Sequence, residues 1–314
     1  MAFYGICELM SRNLSAPFFS ATPVFTRADY ARAVGRAPAD KTVTAMLSQH
    51  VKAGNIKRIA RGLYASVPKH ADAATWWVDR FLLASRLRPE AVIGYHSALE
   101  LHGYAYTAEF DVQAIAPGEP GLFKTREFSC RFVRPTTPLG PESITTVDRL
   151  GQAVAVTTLE RTVADLFDRP DLAGGAEELV NSLDLVGRLD AERLAAHLAA
   201  NGNATAAGAA GWWLESRREH LRVPDSALEA IHKLAPRQNR YALGATVGQG
   251  QAAPGWGVII PRGLMDERFE GLWWRRRSLS PCSVSLLKRG CWPGRGRLCV
   301  ATSKLADIAH KGRA

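Results

Sequence analysis

The stretch 26–68, TRADYARAVGRAPADKTVTAMLSQHVKAGNIKRIARGLYASVP, leaves little freedom of fold. Thr26 is a good N-cap for a short helix over 27–34, which Gly35 ends. Ala28, Ala31 and Val34 recur at helical spacing and give it one buried stripe. Pro38 punctuates a turn, and Asp40 caps a second helix over 41–53. Val43, Met46, Leu47 and Val51 form its apolar face, while Lys41, Thr42, Ala45, Ser48, Gln49 and Lys52 form the opposite one. Gly54 and Asn55, both tolerant of a left-handed backbone, stop it. Two extended runs follow, 56–59 and 62–65, parted by Ala60 and Arg61, with Lys57, Arg58 and Arg61 placed at the ribbon tip. Helix, turn, helix and cationic ribbon predict a winged helix-turn-helix.

That pattern suits duplex DNA. A helix bearing small polar side chains fits the major groove, where Gln, Ser, Thr and Lys reach base edges. Arginines on a wing neutralise phosphates or enter the minor groove. The charge agrees: residues 26–70 carry nine Lys and Arg against Asp29 and Asp40, a net +7, and residues 71–274 are net acidic. A winged helix can also serve protein contacts. The helix that normally precedes such a pair is not obvious; residues 6–13 are the candidate, with Pro17 and the Phe18-Phe19 pair intervening.

Beyond Pro68 the pattern predicts helices over 71–87, with Trp76 and Trp77 on it, and over SALELHG to Gly103. Extended segments are expected at 110–116, 128–134, 143–148 and 152–156, as in a small sheet. Thr157 and Thr158 open a helix over 159–168, on whose surface Arg161 and Asp165 pair. Asp165 and Asp168 read as a solvated face rather than as catalytic carboxylates. Helices follow at 173–187, 190–200, 204–220 and 223–236, then a last apolar strand, WGVIIP, at 256–261. His96 and His102 stand six apart and cannot share a helix face to bind a metal. The chain has no P-loop, dinucleotide fingerprint, H-E-x-x-H or nucleophile elbow. Five cysteines without a C-x-x-C pair match no zinc template and suggest free thiols. The expectation is therefore no catalytic residues, no metal and no cofactor.

The basic head, YHSALELHG (95–103), VTTLERTVADLFDRPDLAGGAEEL (156–179), GWWLESRREHLRVPDSALEAIHKLAP (211–236) and WGVIIP (256–261) occur in that order. Together they resemble the AbiEi family of antitoxins of bacterial type IV toxin–antitoxin systems, over about residues 24–271. The resemblance implies a winged helix-turn-helix that binds double-stranded DNA at repeats in its own promoter and represses the operon. It also implies a C-terminal antitoxin domain that counteracts a nucleotidyltransferase-like toxin without a tight direct complex. DNA contacts would fall on Lys41, Thr42, Ala45, Ser48, Gln49, Lys52, Lys57, Arg58 and Arg61. The fold class expected is α+β: an N-terminal extension over 1–25, the winged head over 26–68, and a mixed α/β antitoxin domain with a small sheet and several helices over 71–271.

Residues 272–314 resemble nothing in that family. Ten of the last forty residues are Lys or Arg against the single acid Asp307, so most of the chain's +10 sits here and the global charge says nothing about the head. We read this atypical basic tail as a shifted reading frame or altered gene end, poorly ordered; the rival is a basic arm with sequence-independent DNA affinity. The apolar residues near the N-terminus are interrupted by Glu8 and Arg12 and make a poor signal peptide, and the uncharged stretches 198–214 and 242–261 are broken by Gly, Asn, Gln or Pro. A cytoplasmic protein with no membrane partner is expected. The alternative functions are a winged-helix regulator with a ligand-sensing or dimerising body, and a nucleic-acid enzyme such as a nuclease. The latter needs clustered acids with a Lys, which the chain after residue 71 does not assemble.

Overall fold

The computed structural model describes residues 14–265, all within one compact unit that ends at Asp266. The protein is of mixed α+β class. Both the expected helix at 6–13 and the basic tail lie outside the described residues.

The head starts earlier than residue 26. Residues 14–21 are helical (α1) and include Pro17 and the Phe18-Phe19 pair. Strand β1 (Val24–Thr26) leads into α2 (Arg27–Ala33), α3 (Lys41–Lys52) and the strands β2 (Ile56–Ala60) and β3 (Leu63–Ser66). Thr26 and Asp29 form a reciprocal capping box at α2. Asp40 accepts from the Thr42 N–H at 2.8 Å to cap α3. The head core gathers Phe25, Tyr30, Ala31, Val43, Leu47, Ile56 and Tyr64, with Phe18 and Phe19 packed on it. Phe19 stacks on both Phe25 and Tyr30 and meets His50 edge-on. The helix missing from the sequence reading is therefore aromatic, and its short polar-flanked pattern carries too little periodicity to reveal it. Val51, assigned to the apolar face of α3, is exposed, and His50 turns inward instead.

Three strands in the order β1-β3-β2 close the head, all antiparallel. The body is built on a six-stranded mixed sheet, in the order β6-β7-β5-β4-β9-β8. Its strands are β4 (Val92–Ile93), β5 (Asp111–Ile115), β6 (Gly121–Lys124), β7 (Ser129–Val133), β8 (Ile144–Arg149) and β9 (Gln152–Thr157). On β9 the residues Gln152, Val154 and Val156 alternate inward, the period expected of a half-buried strand. The two-residue β4 and the exposed β6 were too short or too polar to be foreseen.

One core cluster joins head to body across this sheet. Val24, Leu63 and Ala65 of the head pack with Phe81, Val112, Cys130, Val154 and other body residues. A buried amide bond completes the seam: the Val24 N–H donates to Gln152 Oε1 at 3.3 Å, and Gln152 Nε2 donates to the Val24 carbonyl at 3.2 Å.

The second core cluster fills the helical layer, formed by α5 (Tyr95–His102), α6 (Leu159–Asp168), α7 (Ala176–Asp184), α8 (Ala191–Asn201), α9 (Ala204–Ser216) and α11 (Asp225–Leu234). The expected helix 71–87 is shortened to α4 (Arg80–Leu87). Asp79 Oδ1 accepts from the Phe81 and Leu82 N–H groups and fixes that start, so Trp76 and Trp77 stand outside the helix. The run 204–220 breaks at Arg217 into α9 and the short α10 (Arg218–Leu221). Arg161 and Asp165 do pair, but inside: they are 4% and 6% exposed, not on a solvated face. Arg161 Nε bonds both Asp165 oxygens, at 2.8 and 2.9 Å, while the rest of its guanidinium donates to the Thr137 and Pro138 carbonyls. Burial pushes Asp165 up to about 6 even beside that guanidinium.

The Ala/Gly-rich text of α9 is explained by its position. Residues 206–214 are buried without interruption, as in a central helix. A Cβ on Gly211 would overlap the ring of Trp256, just before the strand Val258–Pro261. Alanine gains up to about 1 kcal/mol of helix propensity over glycine, whereas overpacking costs about 1–3 kcal/mol. Gly211→Ala is thus expected to lower the stability read from urea midpoints. Gly187→Ala, where a Cβ meets nothing within 4 Å, should stay within about 0.5 kcal/mol of the parent.

Candidate nucleic-acid interface

The exposed side of α3 is assembled as its spacing requires. Lys41, Thr42, Ala45, Ser48, Gln49 and Lys52 are all solvent-exposed, with Val43 and Leu47 buried behind them. Twelve residues make a rod of about 18 Å. Its start is held twice. The Thr42 N–H, followed by the Arg36 guanidinium, keeps the Asp40 carboxyl below the usual carboxylate range, and Arg27 Nη2 donates to the Asp40 carbonyl at 3.0 Å.

The hairpin differs from expectation in one charge. Strand β2 runs through Ala60, with a bulge between Arg58 and Ala60, so the two-residue turn is Arg61-Gly62. Gly62 supplies the positive φ (78°) such a turn demands. Arg58 and Arg61 are exposed. Lys57 is not at the tip: its ammonium lies 2.9 Å from Glu127 Oε1 in the turn joining β6 to β7, with 17% of its side chain exposed. Alternation along β2 turns Lys57 and Ile59 toward the body, away from the face that Arg58 shares with Ile56. Among the described residues Lys41, Lys52, Arg58 and Arg61 form no ion pair. Of the nine sequence-assigned contacts the structure thus brings eight to solvent and ties one to the body.

Away from the head, one cluster of ionisable groups escaped the sequence reading. His96, taken as an ordinary polar contact, is wholly buried. Its Nε2 lies 3.1 Å from Glu178 Oε1 and its Nδ1 3.5 Å from Glu100 Oε1. Burial works against the imidazolium, but these two carboxylates outweigh it and the His96 pKa is raised. Glu109, beside them, is raised by burial. His96 and Glu178 sit in two different sequence blocks, so no local spacing could have paired them. His102 Nε2 bonds the Thr157 carbonyl at 2.7 Å. Among the described residues no group of three or more His, Cys, Asp or Glu side chains is arranged to hold a metal ion. Nor is any helix among them long and apolar enough to cross a membrane.

No family model and no curated protein matches the chain. Among solved structures it is similar to the Rv2827c protein from Mycobacterium tuberculosis, with a TM-score of 0.54 and 16% sequence identity. The match covers 80% of this chain and 91% of that one. At that identity the likeness is one of fold.

The raised His96 pKa carries a sign. A histidine that binds its proton more tightly when folded stabilises the fold fully below its unfolded value of 6.5 and loses that contribution as pH rises through the folded value. The stability gap between the parent and His96→Gln, measured by urea melts between about pH 6 and pH 9, should therefore narrow as pH rises. A gap that stays constant would show that the imidazole binds its proton no more tightly in the folded chain than in the unfolded one.

Proposed function

We propose that the chain is a DNA-binding antitoxin of the type IV class, whose N-terminal winged helix-turn-helix represses its own operon. The observation that carries this reading is the exposed α3 face, where Thr42, Ser48 and Gln49 stand between Lys41 and Lys52, followed by a hairpin with Arg58 exposed on β2 and Arg61 exposed in the turn. A helix of this width enters a major groove about 12 Å wide, and its amide and hydroxyl groups match base edges. The cations, which form no ion pair among the described residues, match phosphates. The AbiEi resemblance of the body supplies the second half of the reading: the body counteracts a nucleotidyltransferase-like toxin encoded beside it, without a tight complex.

The test is fluorescence anisotropy of the full chain on the DNA upstream of its gene, with scrambled DNA of equal length, across a salt series. Preferential binding that persists at moderate salt is the expected result; equal binding to both that collapses with salt would overturn specific repression. Three variants divide the interface. Arg58→Ala with Arg61→Ala should weaken binding to both DNAs and reduce the salt slope by about 0.9 per cation removed. Gln49→Ala should lower affinity for upstream DNA alone, by about 1–3 kcal/mol. Lys57→Ala should leave the salt slope unchanged, because that charge is committed to Glu127.

A further inference from the structure

Between the head and the body lies an open cleft of about 1270 Å3 that the repressor reading does not use. Its walls come from both parts: Phe19 and His50 from the head, and Trp76, Trp77 and Leu150 from the body. The apolar residues are unusually bare. Trp77 is 82% exposed, Leu150 65% and Trp76 37%. Two indoles in sequence, held in an irregular segment ahead of α4, are a costly surface to leave in water unless something stacks on it. Small-molecule sites favour such inter-module clefts, lined by aromatics with a few polar groups.

The charge in the cleft selects the ligand. An aromatic wall alone would also suit an organic cation, but a cation needs a free carboxylate here and the described residues offer none. Among the described residues the one acid lining the cleft, Asp79, is spent: Oδ1 caps α4 and Oδ2 accepts from Arg149 Nε at 2.9 Å. Lys69, by contrast, is exposed on the wall and makes no ion pair among the described residues. We propose that this cleft is a binding site for a planar aromatic anion, its rings stacked on Trp76 and Trp77 and its acid group held by Lys69. Gln49 also lines the cleft, so an occupant would touch the helix assigned to DNA; that coupling, unlike the site itself, rests on the function proposed above.

The probe is 8-anilinonaphthalene-1-sulfonate, a fluorescent aromatic sulfonate, titrated into the full chain without DNA. The expected result is one saturable site whose occupancy quenches tryptophan emission. Trp77→Ala and Lys69→Glu should each weaken it about tenfold, one stacking or charge contact's worth. Both side chains are exposed, so the folded far-ultraviolet dichroism should persist. Val247→Ser, at a bare valine outside the cleft lining, should change nothing. Dye uptake that does not saturate, or that ignores both cleft variants, would overturn the proposal. So would Trp77-dependent binding of oligothymidylate in the absence of a saturable dye site, which would assign the indoles to nucleobases. A dye site that meets these criteria supports the proposal even if upstream DNA is not bound, the result that would sink the repressor reading alone.

Discussion

The buried amide of Gln152 decides how the head is carried. Strand β1 pairs with β3 along one edge, and a strand's other edge ordinarily leaves N–H and C=O groups without partners. Here the Gln152 side chain closes on Val24 from the neighbouring body strand, giving it both a donor and an acceptor. Around that bond Val24, Leu63 and Ala65 share one apolar cluster with the body sheet. Separating the two parts would exchange these two hydrogen bonds for bonds to water, at about 0.5–1.5 kcal/mol each, and expose the shared core as well. The head is therefore a docked module, and the direction in which α3 faces is set by the body.

The same docking redistributes charge. Read as a string, Lys57, Arg58 and Arg61 form one basic cluster; on a docked ribbon the period of two separates Lys57 from Arg58, and Arg61 sits in the turn. Arg58 and Arg61 remain in solvent, while Lys57 is turned to the body and neutralised by Glu127. A lone exposed ion pair is worth little, but this one is partly buried, next to Ile59 and Ala60 in the shared cluster. It belongs to the seam more than to the interface.

What the sequence made legible was local. The caps at Thr26, Asp40 and Thr158, the exposed face of α3 and the helix Leu159–Asp168 follow from short-range rules that tertiary packing left standing. What it hid was set by distant partners. Nothing near Phe18 and Phe19 announces that they will pack against Tyr30 and His50. The i,i+4 spacing of Arg161 and Asp165 foretold the pair but not its burial, which depends on the Thr137 and Pro138 carbonyls reaching the guanidinium. The Trp76-Trp77 segment lies ahead of the helix because Asp79, not an earlier residue, caps its start.

Counting the cations bounds how the proposed interface could work. With Lys41, Lys52, Arg58 and Arg61 uncommitted, at most about four phosphates are neutralised by these side chains, and affinity should fall roughly hundredfold for a fourfold rise in salt. That is a modest electrostatic contribution, too small by itself to hold one site against a genome of competitors. Discrimination must then come from Thr42, Ser48 and Gln49, whose base contacts are useful only if α3 arrives at a fixed angle and depth. A head swinging on a linker would blur them. The Gln152–Val24 seam removes that freedom in the folded chain, so under the proposed function the entropy of orienting α3 would be spent on folding and not on binding.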